Sequence, residues 1–294
     1  MFRYLSAIGM SEYIDRKKFA SLLPDILNSS HFSMDTFFDP ETKEKMVEFY
    51  FDMDVFTLIF RGKSEDYHLP IQDILPVVHS QRNHMQIDAW QVDTTNEMLP
   101  ILIGDNVKTG NTVDLFLSNL IQMKKHVSHA PDILDVCVYG LSISGQILLN
   151  IQRSVEDEVV YQEQEEYWDE LSRRASAGDK EAELELDEED KAMELDILRR
   201  MQNEDIYSIL EGLMVPMDEK TYGFFVVLGT IEAIHKILNP YTEEWVYEFE
   251  LDIIGKSYNI FINPKDLEGY PTVGMRFQGS VMLLGNVDWT SPQK

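Results

Sequence analysis

The sequence feature that most constrains the fold is an alternation of apolar and polar residues near the carboxyl terminus. Over residues 245–253, Trp, Tyr, Phe, Leu and Ile occupy every second position, which is the pattern of a half-buried β-strand. A long apolar run over 222–237 precedes this strand, and Gly255 and Lys256 separate it from a second alternating run that begins at Tyr258. A two-residue turn between two such runs predicts a β-hairpin.

The elements that follow this hairpin favour a small barrel. Residues 264–269 predict a short helical turn, and residues 275–284 predict a final strand or strand pair in which Gly279 and Gly285 allow sharp curvature. From this order of elements we expect an OB-like β-barrel over residues 221–294. Element order is an analogy, and such a fold would not imply a function.

Residues 1–153 have the mixed pattern of an α+β domain. Apolar residues at helical spacing predict helices over 11–27 and 111–126. Two β-rich runs, 46–51 and 55–60, flank a short polar turn and predict a hairpin. We expect an antiparallel or mixed sheet covered by the two helices.

The other strands of this domain are less regular. Pro70 and Pro76 argue against a central position for the apolar run 71–79, because proline cannot donate a hydrogen bond to a strand ladder. A turn is expected around Ser144 and Gly145. The remaining strand candidates are residues 86–92, 99–103, 134–141 and 146–152.

Residues 154–220 form an acidic segment, with 23 acidic and 7 basic residues. Good helix formers predict two helices, over 160–174 and 188–213. The second carries an apolar stripe, which predicts a packed helix rather than a tail. The stripe consists of Met193, Ile197, Met201, Ile206, Ile209 and Leu210. The acidic run 181–190 has two interpretations, a mobile loop or a solvated helix face.

The net charge of −27 restricts the possible partners. Nucleic acids and anionic membranes would repel this chain unless its cations cluster, because affinity for phosphate depends on Lys and Arg. Basic protein surfaces and cations are permitted. No apolar run reaches the roughly 18 residues of a membrane span, and no secretory signal is recognisable at the amino terminus. We therefore expect a cytoplasmic protein, and the single cysteine, Cys137, predicts a small core residue in a buried strand.

Two stretches resemble catalytic motifs without completing them. Gly255, Lys256 and Ser257 resemble the end of a phosphate-binding loop, but the earlier glycine of that motif is missing and a strand follows. Residues 140–145 resemble a nucleophile elbow, but Ser144 stands where the second glycine is required. Both stretches are interpreted as turns.

Histidines and carboxylates offer weak metal-site candidates. His79 and His84 form one pair in the sequence, and His126 and His129 form another near a predicted helix end. Helix-dipole stabilisation explains the second pair equally well. The carboxylates Asp52 and Asp54 fit a polar turn as well as a cation site. We therefore predict no catalytic, cofactor-binding or metal-binding residue.

Aromatic residues crowd the carboxyl-terminal segment. On an OB-like barrel they could stack nucleic-acid bases, but the segment has nine acidic and five basic residues, so core packing is favoured. The residues concerned are Tyr241, Trp245, Tyr247, Phe249, Tyr258, Phe261, Phe277 and Trp289.

Several landmarks together resemble an uncharacterised bacterial family, a domain of unknown function of similar length. They include residues 2–9, 204–209, 228–231, 239–242, 262–267, 271–279 and 284–285. The resemblance covers most of the chain and implies a bacterial cytoplasmic origin. It carries over no catalytic or binding residue.

These observations lead to one functional hypothesis and one alternative. The hypothesis is a non-catalytic cytoplasmic interaction protein that presents an acidic surface to a basic protein partner, with no nucleic acid and no membrane involved. The alternative is a metal-assisted hydrolase that uses carboxylates with His126 or His129. The sequence makes no prediction of oligomeric state.

Overall fold

The computed structural model describes residues 2–64, 71–79, 83–151, 167–168, 170–175, 178–218 and 222–289. The protein is of mixed α/β class, with more strands than helices in the described part. Two compact units are present: residues 1–148 together with 212–294, and residues 149–211. Within the described ranges, no helix combines the length and apolar character needed to cross a membrane.

The first unit contains short helices and many strands. Its helices are the 3-10 helices Phe2–Ile8, Ser11–Ile14, Val127–His129 and Pro264–Asp266, with α1 Arg16–Leu27 and α2 Leu120–His126. Its strands are β1 Phe32–Phe38, β2 Lys45–Met53, β3 Phe56–Ser64, β4 Ile71–Val78, β5 His84–Asp93, β6 Ile101–Asn106, β7 Thr112–Leu117, β8 Leu134–Leu148, β9 Leu213–Pro216, β10 Phe224–Leu238, β11 Trp245–Asp252, β12 Ser257–Ile262, β13 Leu267–Glu268 and β14 Arg276–Asp288. The second unit contains α3 Lys180–Arg200 and α4 Ile206–Ile209.

Strands β1 to β4 form an antiparallel sheet in sequence order. The hairpin predicted from residues 46–51 and 55–60 is confirmed as β2 and β3. Strand β4 lies at the edge of this sheet, where Pro76 pairs with Leu58. An edge position tolerates proline, so the prediction that residues 71–79 do not form a central strand is confirmed.

The second sheet closes on itself twice. In the first ring, β8 and β14 complete the meander β5–β6–β7, with β7 parallel to β14. In the second ring, the same two strands complete the meander β10–β11–β12, with β12 parallel to β8. A helix follows the third meander strand in each ring, α2 in the first and Pro264–Asp266 in the second. The two rings therefore repeat one strand order and share β8 and β14.

This topology bears on the barrel expected over residues 221–294. The second ring takes β8 from residues 134–148, so the later residues do not close it by themselves. A separate OB-like barrel over 221–294 is therefore not confirmed. The division into 1–153, 154–220 and 221–294 stays a prediction, while strand pairing joins parts of the first and third segments in one sheet.

Three element predictions for the first 153 residues need correction. The helix predicted over 11–27 begins only at Arg16, because the Asp15 side chain accepts hydrogen bonds from the N–H groups of the first helical turn. The helix predicted over 111–126 is strand β7 in its first half, which pairs with β6 and β14. The turn expected at Ser144 and Gly145 lies inside the continuous strand β8.

Gly145 lies inside a strand rather than at a turn. Its lack of a side chain permits the Phe277 ring to approach the strand backbone closely. Gly145 pairs directly with Gly279 across β8 and β14. A Cβ atom on Gly279 would lie 2.6 Å from the Phe277 ring and 2.7 Å from the Ser144 carbonyl oxygen. Both strands lack a side chain here because the Phe277 ring occupies the space, which is a recognised role of glycine within strands.

A buried ion pair lies within the first sheet, and its arginine also bonds to the second sheet. Arg61 on β3 and Glu48 on β2 have essentially no exposed surface, and the Arg61 Nε donates to Glu48 at 2.7 Å. The other Arg61 nitrogens donate to the carbonyl oxygens of Met98 at 2.8 Å, Leu117 at 3.1 Å and Ser118 at 2.8 Å. Met98 lies shortly before β6, Leu117 is the last residue of β7 and Ser118 follows it, so one side chain links the first sheet to the first ring.

The amino-terminal 3-10 helix packs into the core. Its residues Tyr4 to Ile8 are buried, and the Asn239 side chain donates to the Ile8 carbonyl at 2.7 Å. Nearby, Glu244 accepts hydrogen bonds from the Ser11 hydroxyl at 2.6 Å and from Lys265 at 2.8 Å. These contacts connect the amino terminus to the second ring.

Replacement of Arg61 by Met will lower the free energy of unfolding by about 3–5 kcal/mol, because it leaves the Glu48 carboxylate buried without its cation. Urea denaturation measures this change. The control is Lys18→Met, since Lys18 faces Glu12 at 3.9 Å with both side chains largely exposed, and its effect will stay within about 0.5 kcal/mol. Equal urea midpoints for the two variants would show that the buried pair does not hold the sheets together.

The stability contribution of Glu244 will depend on pH. Burial tends to raise the pKa of this carboxyl, but hydrogen bonds from Lys265 and Ser11 outweigh it, and the pKa lies below its usual value of 4.5. A depressed folded-state pKa contributes stability that is complete above the unfolded-state value and is lost as pH falls through the folded-state value. The stability difference between the wild type and Glu244→Gln will therefore be constant from pH 6 to 8, at about 1–3 kcal/mol, and will shrink below pH 4.5. A difference that does not change down to pH 3 contradicts this assignment.

Candidate functional site: the acidic helix

Helix α3 begins at a capping residue that is itself held by an arginine. The Asp179 side chain accepts hydrogen bonds from the N–H groups of Glu181 and Ala182 at 3.1 and 3.3 Å. Arg174 donates twice to the other Asp179 oxygen, at 2.9 and 2.6 Å. Arg174 and these backbone donors hold the pKa of Asp179 below its usual value. The start of the helix is therefore fixed by local chemistry, as expected for an aspartate cap.

Charge is distributed along α3 as the helix dipole favours. Glu181 and Glu183 lie in the first turn, and Arg199 and Arg200 lie in the last. The helix covers the acidic run 181–190, in which seven of ten residues are acidic. Of the two interpretations of this run, the helix face is therefore the one observed. The predicted helix 188–213 has different limits, because α3 ends at Arg200 and Asp205 caps the separate helix α4.

The carboxylates of the first half of α3 face solvent, and two have weak or local partners. Glu185 accepts a hydrogen bond from the Tyr167 hydroxyl at 2.5 Å, which raises the pKa of that tyrosine. Asp187 lies 3.8 Å from Lys191. The exposed carboxylates are Glu181, Glu183, Glu185, Asp187, Glu188 and Glu189.

Three leucines on the same helix are also exposed. The exposed fractions are 67% for Leu184, 68% for Leu195 and 52% for Leu198. At 100° per residue these positions lie within about 60° of one another, whereas the buried Ala182 lies on the opposite side. An exposed leucine alone needs no explanation, but three aligned leucines beside carboxylates form a surface that is both apolar and acidic. We call Leu184, Leu195, Leu198, Glu181, Asp187 and Glu188 the α3 face.

This arrangement differs from the apolar stripe predicted from the sequence. Of that stripe, Ile197 is half-buried and Met201 is 45% exposed, and the Met193 side chain lies outside the described residues. The predicted first helix, 160–174, also falls largely outside them. The exposed leucines were not predicted from the sequence. A helical repeat of apolar residues shows that a helix is amphipathic, but it does not show that a second apolar group lies on the exposed side of the helix.

The histidines do not form the pairs suggested by their spacing. His79 Nε2 lies 2.6 Å from the Thr57 hydroxyl, which also donates to Asp52 at 2.7 Å. His84 bonds Asp135 on β8 at 2.8 Å, and His129 bonds the adjacent Ser128. Among the described residues no three His, Cys, Asp or Glu side chains come together in a way that could hold a metal ion. The hydrolase alternative with His126 or His129 therefore has no geometric support.

The cluster of Thr57, Asp52 and His79 could not be found from sequence spacing. The Thr57 hydroxyl donates to the Asp52 carboxylate and lies within hydrogen-bond distance of His79 Nε2, whose role as donor or acceptor depends on its tautomer. The cluster therefore connects β2, β3 and the residue that follows β4.

The two stretches that resemble a phosphate-binding loop and a nucleophile elbow have structural roles. The predicted hairpin between β11 and β12 is present, but its turn residues are Ile254 and Gly255, both with positive φ, because Lys256 exchanges backbone hydrogen bonds with Ile253. Ser142 in β8 is fully buried and donates to the carbonyls of Ser144 and Ser280, at the point where the β8–β14 register shifts. Cys137 is buried in β8 as predicted, and burial raises the pKa of its thiol.

The aromatic prediction holds for most but not all positions. Phe249, Tyr258, Phe261, Phe277 and Trp289 are buried. Tyr247 is half-buried. Core packing was the wrong prediction for Tyr241, which is 39% exposed, and for Trp245, which is 53% exposed.

Comparisons with known proteins give a family but no function. Residues 5–285 match a family model described as "Domain of unknown function, E. rectale Gene description (DUF3881)". No curated protein and no solved structure matches the chain.

Proposed function

Because the chain belongs to the DUF3881 family, a domain of unknown function that covers residues 5–285, we propose a function from its own surface: it is a non-catalytic interaction protein that presents the α3 face to a basic protein partner. The observation that carries this proposal is the alignment of Leu184, Leu195 and Leu198, each more than half exposed, beside carboxylates. The chemistry of this surface defines the partner segment as amphipathic, with lysine or arginine beside an apolar stripe.

The two components of the α3 face contribute differently to binding. Full burial of a leucine side chain is worth about 1.5–3 kcal/mol, so the leucines supply most of the affinity. Exposed ion pairs contribute about 0–1 kcal/mol each. The carboxylates therefore act mainly on the association rate and on partner choice, and they exclude polyanions. An amphipathic helix laid against this face would use the helix-in-groove type of recognition.

Two further elements belong to the proposal. The first is a cytoplasmic setting in a bacterium, which the single free cysteine and the naming of E. rectale in the family description support. The second is that each ring of the second sheet is an OB-like barrel, with its strands drawn from distant parts of the chain. The five strands per ring, the single parallel pair and the helix after the third strand support this view.

The test is binding of a fluorescein-labelled 18-residue helical peptide of Lys and Leu, measured by fluorescence anisotropy with the full chain. The double variant Leu195→Ser/Leu198→Ser will weaken binding about tenfold, as expected for removal of central apolar contacts. The double variant Glu181→Gln/Glu188→Gln will slow association and reduce the salt dependence of binding, because screening acts on exposed charges.

Matched controls separate this surface from general charge attraction. Leu27→Ser replaces a leucine that is 55% exposed on α1, and Glu12→Gln/Glu41→Gln removes two exposed carboxylates elsewhere; neither will change the affinity by more than about twofold. A peptide of Lys and Ser will bind weakly. If the α3 variants and these controls behave alike, the α3 face is not the docking surface.

A further inference from the structure

Strands β1, β4 and β9 each lie at the edge of a sheet within the described residues. Two of them carry features that discourage pairing with another chain, because β4 contains Pro76 and β9 has only four residues and ends at Pro216. Strand β1 has seven residues, contains no proline or lysine, and pairs with β2 without a register shift. It is therefore the least protected of these edges.

The backbone groups of β1 alternate between β2 and the open side. The Asp52 N–H donates to the His31 carbonyl at 3.0 Å, and the Asp39 N–H donates to the Glu44 carbonyl at 2.9 Å. These contacts identify the odd-numbered residues of this stretch as the ones that bond to β2. The N–H and C=O groups of residues 34, 36 and 38 therefore point away from β2, to a side on which no described strand lies. We call this side the β1 edge.

The one charged residue of β1 is already paired. Asp35 accepts hydrogen bonds from Lys125 at 2.8 Å and from the Thr36 N–H at 2.7 Å. Because Lys125 balances this carboxylate, the strand has no uncompensated charge that would select a basic or an acidic partner. Recognition at the β1 edge must therefore come from backbone hydrogen bonds and apolar side chains. An added strand would offer the Thr36 N–H a carbonyl in place of Asp35.

Two apolar side chains lie beside the open backbone groups. Met34 and Phe38 are each 59% exposed, and they share one face of the sheet because side chains alternate along a strand. Thr36 lies midway between them. A strand that covers this edge therefore needs two apolar residues four positions apart, with a small residue between them.

Strand β1 itself meets this requirement when it runs in the opposite direction. With Thr36 opposite Thr36 of a second copy, Met34 of each copy lies opposite Phe38 of the other. Methionine–aromatic contacts and threonine pairs both stabilise neighbouring strands. The register that places Asp35 opposite Asp35 is disfavoured, because like charges directly opposite each other repel.

We propose that the β1 edge is a dimerisation site at which a second copy of this chain adds its own β1 antiparallel, with Met34 opposite Phe38. The two four-stranded sheets then form one continuous sheet with two-fold symmetry. A seam of five residue pairs buries less than the roughly 1,200 Å² of a stable interface, so the dimer exchanges with the monomer. The proposal is independent of the α3 face.

Sedimentation equilibrium of the full chain, from about 1 μM to about 1 mM, will show a monomer–dimer equilibrium. The variant Met34→Lys/Phe38→Lys will weaken the dimer about tenfold, because it places lysine opposite lysine twice. The variant Met34→Glu/Phe38→Lys will retain the dimer, because each new carboxylate lies opposite a new ammonium group. Both variants change exposed side chains, and urea midpoints near that of the wild type will show that the monomer still folds.

A third variant tests the backbone contacts. Thr36→Pro will also weaken the dimer about tenfold, because it removes an N–H group on the open side and leaves the hydrogen bonds between β1 and β2 in place. Its urea midpoint is checked in the same way.

Ionic strength distinguishes this dimer from contact through the α3 face. Each copy carries a net charge of −27, so added salt screens the repulsion between the copies and will strengthen the dimer. Binding of a basic partner to the α3 face weakens under the same conditions.

The control makes the same change of charge elsewhere. Val107→Lys/Val273→Lys alters residues that are 43% and 58% exposed outside β1, and it will not weaken the dimer. A chain that stays monomeric throughout overturns the proposal, as does a dimer that Met34→Lys/Phe38→Lys leaves unchanged. A monomer that instead binds an extended peptide of alternating valine and threonine would also overturn it, and would assign the β1 edge to a partner protein.

Discussion

Arg61 is buried between the two sheets of the first unit, and its guanidinium group satisfies a carboxylate and three backbone carbonyls at once. The planar fork of arginine makes this possible, because its donors point in several fixed directions. Glu48 completes the arrangement by accepting hydrogen bonds from the Tyr50 hydroxyl at 2.6 Å and from the Ile121 N–H at 3.2 Å. These contacts fix the four-stranded sheet, the end of β7 and the start of α2 relative to one another, and β7 is a strand of the first ring.

Local patterns in the sequence were sufficient to predict hairpins but not to predict the order of the strands in the sheets. The hairpins β2–β3 and β11–β12 could be predicted because strand alternation and turn residues lie within one short window. Strand β7 was missed since Val113, Phe116 and Leu117 fit a helical repeat as well as a strand. The sharing of β8 and β14 depends on pairs such as Gly145 with Gly279, which lie too far apart for any local pattern to connect.

The candidate sites show the same limit. The composition of the sequence shows that this segment is acidic. It does not show which side of α3 is exposed, because that depends on what the helix packs against. Trp245 and Tyr247 share a strand face with Phe249, so alternation assigned all three to the core. Only Phe249 is fully buried. Trp245 lies at the start of β11, before the residues that pair with β12, and Tyr247 is half-buried where that pairing begins.

The strands common to both rings have a consequence for synthesis on the ribosome. Residues paired between β8 and β14 are separated by 128 to 153 positions, and long-range pairing of this kind is slow. The first ring has all its other strands once residue 148 has emerged, yet it stays open until residues 276–288 follow. During that interval the nascent chain exposes the unpaired strand edges that β14 will later cover. Such edges favour association with other chains, so protection by chaperones should matter most in this period of translation.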